Sequence, residues 1–168
     1  MNSGAIVRAV ARHMNFHQGL LVPEAVVDCD CGWDEPRYYG YGRRYQADLM
    51  WVTKDNYATE IEIKVSRADW RADKEKAKWG MLPGWVARFI YAVPQRLGIP
   101  DFIHPQAGVW HVTEDHWHPI RVVRAPGRIG KQKVPPWLAE RWRQHLYCRY
   151  WQQHLSAART PKFVAAAD

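Results

Sequence analysis

Residues 57–65 read YATEIEIKV, and the charged positions in that string are where chemistry is best placed in this chain. Side chains alternate faces along an extended strand. Ile61, Ile63 and Val65 therefore share one face, and Glu60, Glu62 and Lys64 share the other. The apolar set seeks a core, whereas the charged set must be solvated or employed, because buried unpaired charge is costly. Asp48 opens the strand just before, 14 residues ahead of Glu62, and a hairpin brings the two carboxylates together. Two carboxylates at one spot repel unless a cation stands between them. A hard divalent ion such as Mg²⁺ prefers oxygen donors and keeps several waters, one of which can become a nucleophile. The backbone carbonyl of Ile63 would add a third oxygen, and Lys64 can orient that water or stabilise developing negative charge. The string EIEIK taken alone fits a solvated strand face better than a site. The aspartate that opens the preceding strand and the helix that follows favour a site.

The elements that must position these groups follow from periodicity. Residues 5–17 place Ile6, Val10 and Met14 on one helical face, with Ser3 as the expected cap and Gly19 as the expected end. Strands are predicted over 20–28, 47–53, 57–65, 86–93, 108–113 and 118–124, with a turn at Lys54, Asp55 and Asn56 between the second and third. Pro23 gives the first strand an edge or bulged character. Residues 29–45 read as a long loop rich in Gly, Tyr and charge. Ser66 caps a helix running to about Trp79, with Asp69 as its capping-box acid. Residues 125–136 form a Pro/Gly/Lys connector, 136–157 a long closing helix, and the tail from Arg159 is expected to fray. The order predicts a single α/β domain, a mixed sheet with helices on its faces.

Composition narrows the partners. The chain has 168 residues, 47% of them hydrophobic, and a net charge of +7 that favours a polyanion. Residues 121–149 hold Arg121, Arg124, Arg128, Lys131, Lys133, Arg141, Arg143 and Arg149 with Glu140 as their lone acid, and Trp137, Trp142 and Trp151 are interleaved among or beside them. Aromatic planes near cations can stack unpaired bases, although such rings more often close a core. No run is long and apolar enough for a membrane span and residues 1–20 do not read as a secretory signal, so a cytoplasmic location is expected. Cys29 and Cys31 do not complete a zinc site without His104, His111, His116 or His118, and reduced thiols are the simpler reading.

Asp48 followed by Glu62-Ile63-Lys64 resembles the PD-(D/E)XK nuclease signature, in the variant where the proline is absent and Ala47 precedes the aspartate. The strings VPE (22–24), RRYQADLMWV (43–52), EIEIKVSRADWRADKEKAKW (60–79), RFIYAVP (88–94) and AGVWHVT (107–113) are similar in order and spacing to the MmcB-type DNA-repair endonucleases. That likeness covers roughly residues 5–125, with SRADWRAD its most specific part, and leaves 136–157 outside.

The resemblance implies a restriction-endonuclease-like core, a central mixed β-sheet flanked by helices, here extended by the C-terminal helix. It implies Mg²⁺ or Mn²⁺ dependence and hydrolysis of DNA phosphodiesters in repair, recombination or phage DNA processing. Asp48 and Glu62 would be metal ligands, Lys64 the catalytic lysine, and Glu24 an outer ligand on the first strand. The first helix has no acid, unlike many relatives in the superfamily, which points to one ion rather than two. Arg43 and Arg44 at the mouth of the site, Arg67 at a helix N-terminus, and Lys74 and Lys78 one turn apart are the expected phosphate contacts. Cleavage of both duplex strands by a single-site enzyme would suggest a homodimer. The alternative is a catalytically silent nucleic-acid- or protein-binding module on the nuclease fold, and an RNA nuclease differs only in substrate.

Overall fold

A computed structural model describes residues 1–28, 44–74, 82–99 and 102–158. Its elements run α1 (Ser3–His13), β1 (Gly19–Asp28), β2 (Arg44–Thr53), β3 (Ala58–Ile63), α2 (Arg67–Lys74), β4 (Val86–Pro94), β5 (Gly108–Val112), β6 (Ile120–Arg124) and α3 (Pro136–Ala158). The described residues divide into two compact units, Met1–Pro135 and Pro136–Asp168. The loop reading of 29–45 falls almost wholly outside the described residues, as do the last predicted residues of the second helix and the tail.

In the first unit the strands form one sheet in the order β1-β2-β3-β4-β5-β6. The β1–β2, β2–β3 and β5–β6 pairs are antiparallel, and the β3–β4 and β4–β5 pairs are parallel. The mixed α/β sheet flanked by helices is thus as expected. Period-two alternation sends neighbours to opposite cores. On one face Ile6, Ala9 and Val10 of α1 pack with Leu49, Trp51, Ile61, Ile90, Ala92 and Trp110. On the other, Trp70 of α2 packs with Phe89, Tyr91, Val93, Ile103 and Val109. β4 is covered on both sides, which is why VARFIYAVP is a nearly unbroken apolar run.

Three local expectations need correction. Asn2, not Ser3, caps α1, its side chain accepting from the Ala5 N–H. The helix stops at His13, and a single 3₁₀ turn, Phe16–Gln18, separates it from Gly19, which instead begins β1. Asn15 adopts positive φ there (49°), a conformation an asparagine tolerates and most residues do not. Residues 126–135 are more than a connector. Along them Gly127, Ile129, Gln132 and Val134 donate backbone N–H bonds to Gln106, Ala87, Gly84 and Asn56 at 2.8–3.2 Å. The Arg128 guanidinium lies 4.9 Å from the Tyr57 ring centroid. This strap ties the start of β4 to the β2–β3 turn.

Gly130 makes that strap possible, since a Cβ there would collide with the carbonyl oxygens of Gly84 and Val86. Gly130→Ala is expected to destabilise the chain by about 2 kcal/mol, as overpacking does, read from denaturant midpoints. A pH effect is expected as well. Burial holds the imidazoles of His13 and His111 below their ordinary pKa, and Arg121 pushes His111 further the same way. The unfolded chain therefore takes these protons first, so stability falls as pH drops below about 6.5. Thermal melts of His111→Gln should show a shallower acid slope.

Candidate active site

The site is built where β2 and β3 part. Their backbone pairing runs from Val52↔Ala58 to Leu49↔Ile61. Beyond that pair the Ile63 N–H donates to Asp48 Oδ2 at 2.7 Å, so a carboxylate stands where a strand carbonyl would otherwise accept. On its other edge β3 stays on the parallel ladder to β4, from Thr59↔Arg88 to Ile63↔Ala92, and the Lys64 N–H continues to the Ala92 carbonyl at 3.2 Å. The strand is fixed on one side and opens on the other at the residues with chemical capacity.

Glu62 and Lys64 are both buried, with side-chain exposures of 9% and 5%. Lys64 Nζ donates to Glu62 Oε1 at 2.8 Å. Residues two apart on a strand share a face, and the ammonium compensates a carboxylate that burial would otherwise penalise. Glu60, one step further back, is fully buried, and Tyr45 Oη donates a hydrogen bond to its Oε2. Tyr45 was not anticipated as part of the site. Its signal was present in RRYQAD, since a buried acid needs a donor and a tyrosine three residues before Asp48 offers one.

Glu24 enters from β1. Pro23 pairs with Leu49 and Ala25 with Ala47, which sets Glu24 opposite Asp48. Its φ is +53°, left-handed backbone that costs a residue with a Cβ about 1 kcal/mol. Such strain often clusters at functional sites. The side chain is exposed, which suits an outer role better than a buried ligand.

The helix after β3 starts as expected. The Asp69 N–H donates to Ser66 Oγ at 3.1 Å, and Asp69 Oδ2 accepts from Ser66 N at 3.1 Å and Val65 N at 3.2 Å. This reciprocal box gives Ser66 a capping role. Trp70 then anchors α2 on β4, its ring centroid 4.9 Å from that of Tyr91. Arg67 is the first residue of α2 and is exposed, so its guanidinium is available to an anion beside the helix N-terminus. Arg44 begins β2 and Lys74 ends α2, while Arg43 and Lys78 lie outside the described residues with Cys29 and Cys31. Of the four histidines, His111 is on β5 and His104, His116 and His118 lie on loops.

The candidate donor set is two carboxylates, Asp48 and Glu62, with the carbonyl of Ile63, the residue after Glu62. All three atoms are hard oxygens, the chemistry that Mg²⁺ or Mn²⁺ takes. Among the described residues no three His, Cys, Asp or Glu side chains form a ready metal cluster. A cation here would rest on the two carboxylates, the carbonyl and water.

No protein-family model and no curated protein matches the chain. Among solved structures it is similar to SPO1766, a protein of unknown function from Silicibacter pomeroyi, with a TM-score of 0.55 and 24% identity over 97% of this chain and 94% of that one. That likeness shows the α/β fold. No helix among the described residues is long and apolar enough to cross a membrane.

The buried pair makes a testable energetic demand. Lys64→Met removes the cation beside Glu62 and is expected to cost about 3 kcal/mol of unfolding free energy, the range for breaking a buried ion pair. Adding Glu62→Gln should restore most of that loss in a double-mutant cycle. Equal stability of the single and double variants would contradict the pairing.

Proposed function

We propose that this chain is a metal-dependent nuclease that hydrolyses DNA phosphodiesters, with Asp48, Glu62 and Lys64 at its centre. The observation that carries this reading is the arrangement at the end of β3. There Asp48 grips the Ile63 amide at 2.7 Å, and Glu62 and Lys64 form a buried pair at 2.8 Å on the next alternate positions. A solvated strand face would leave those two side chains in water, and they are buried instead.

In this reading Asp48, Glu62 and the Ile63 carbonyl would hold Mg²⁺ or Mn²⁺. When bound, the ion supplies Lewis acidity toward a phosphoryl oxygen and lowers the pKa of a water. The Asp48 carboxylate is oriented by the Ile63 N–H, and Glu62 by the Lys64 ammonium, so neither need reorganise to meet a cation. Lys64 presents positive charge where the phosphoryl oxygens gain negative charge in the transition state. Arg67 on α2 is suited to neutralise a phosphate, with Arg43 and Arg44 upstream of Asp48 as further candidates. Glu60, two residues before Glu62 on the same strand face, is held in place by the Tyr45 hydroxyl. The net charge of +7 favours a polyanionic substrate.

Cleavage of single-stranded, branched and duplex DNA in Mg²⁺ or Mn²⁺ is the direct test. Activity should vanish in EDTA. Asp48→Ala, Glu62→Ala and Lys64→Ala should each lower turnover at least about a hundredfold, the scale of removing one electrostatic stabiliser. Arg67→Ala should chiefly raise KM. Full activity in all three alanine variants would sink the mechanism. Binding without cleavage in either metal would favour a silent module.

A further inference from the structure

Helix α3 carries four of the exposed large hydrophobic side chains of the described residues: Tyr147 (65% exposed), Tyr150 (52%), Trp151 (45%) and Leu155 (62%). At about 3.6 residues per turn, Arg143, Tyr147, Tyr150, Trp151 and His154 fall on one face, and Leu155 borders it. The rings brace one another. Tyr150 stacks on His154 at 4.5 Å, and Trp151 meets Tyr150 and Tyr147 edge-on at 5.6 and 6.2 Å. Arg143 heads the stripe, its guanidinium 3.3 Å from Glu140, an exposed pair worth little as stability.

The chemistry of the stripe selects its occupant. A helix-pairing seam is aliphatic, with Leu, Ile or Val at its core positions. This one is tyrosine, tryptophan and histidine, rings with wide π faces and polar tips. The described helix holds Arg141, Arg143 and Arg149 against the single acid Glu140. A second copy would bring like charge against like charge, whereas a polyanion is complementary. Arg143 stands on the aromatic face itself, while Arg141 and Arg149 lie on the other side of the helix and add to its overall charge. Aromatic faces beside a cation stack unpaired bases with little regard to sequence. A closed duplex offers few base faces to such a surface.

We propose that the Arg143–Tyr147–Tyr150–Trp151–His154 face of α3 binds single-stranded nucleic acid by stacking on its bases. The proposal concerns binding and does not require turnover at Asp48, Glu62 and Lys64. It is tested on the full chain by fluorescence anisotropy, in EDTA so that nothing is cut. The probes are a labelled oligothymidine of about 20 nucleotides, longer than a typical single-strand site, and a duplex of equal length. The triple variant Tyr147→Ala, Tyr150→Ala, Trp151→Ala should weaken oligothymidine binding at least about tenfold, the effect expected of lost base stacking, and duplex binding much less. Alanine favours helix, so α3 should persist in it. The triple variant to Phe keeps the π faces and should bind the oligothymidine within about threefold of wild type. The proposal is overturned if the alanine variant binds oligothymidine like wild type, or if the Phe variant loses as much affinity as it does. It is equally overturned if the alanine variant only converts a dimer to a monomer in sedimentation, since the stripe would then serve a second copy. Because no cleavage is read, failure here leaves the hydrolytic reading intact, and absence of cleavage leaves this one intact.

Discussion

The hydrogen bond from the Ile63 amide to the Asp48 carboxylate is the contact around which the candidate-site end of the sheet is organised. Strand β3 has to satisfy backbone groups on both edges, since buried N–H groups without acceptors are costly. Toward β4 it does so by a parallel ladder continued through Lys64. Toward β2 the ladder is replaced at Ile63 by a side chain. One substitution of carboxylate for carbonyl lets the strands separate without orphaning the amide. It also holds an acid next to Glu62, with the geometry set by strand register rather than by a flexible loop. A site built on paired strands keeps its groups in place with little conformational freedom to lose.

Electrostatics then explain why these polar groups are tolerated inside. Asp48, Glu60 and Glu62 lie on adjacent central strands, and Lys64 is the buried cation among them. A buried ion pair is seldom the most stable use of such positions, because well-packed apolar residues often do as well or better. Glu62 and Lys64 occupy two such positions in a sheet otherwise rich in Val, Ile and Ala. The Tyr45–Glu60 bond follows the same logic, placing an O–H donor against a fully buried acid instead of leaving it to water.

Much of this was legible in the chain because the signals are local. Alternation in EIEIK separates Ile61 and Ile63 from Glu60, Glu62 and Lys64 onto opposite faces, and the unbroken apolar run of β4 marks a strand covered on both sides. The Ser66–Asp69 box is contained within four residues. What escaped depends on distant partners. Tyr45 and Glu60 are 15 residues apart, and their bond exists only once β2 and β3 are placed. The left-handed Glu24 was not readable because glutamate has no preference for that backbone, which here accompanies an interruption in the paired register between Pro23 and Ala25. The strap at 126–135 looked like a linker because Pro, Gly and Lys are what linkers contain. Its glycine is required by close approach to β4, a contact no local pattern announces.

The distribution of charge gives the proposed chemistry its internal consistency. A polyanion approaching Glu24, Asp48 and Glu62 alone would be repelled, however well those residues were shaped for it. The proposed reading resolves this with a divalent cation at the carboxylates and an excess of seven positive charges over the whole chain. Long-range attraction is then supplied by the basic residues and is screened by salt, whereas the buried Glu62–Lys64 pair is little affected by it. Added salt should therefore weaken capture of nucleic acid before it disturbs the arrangement of Asp48, Glu62 and Lys64. The two properties separate because one is a surface field and the other is packed into the sheet.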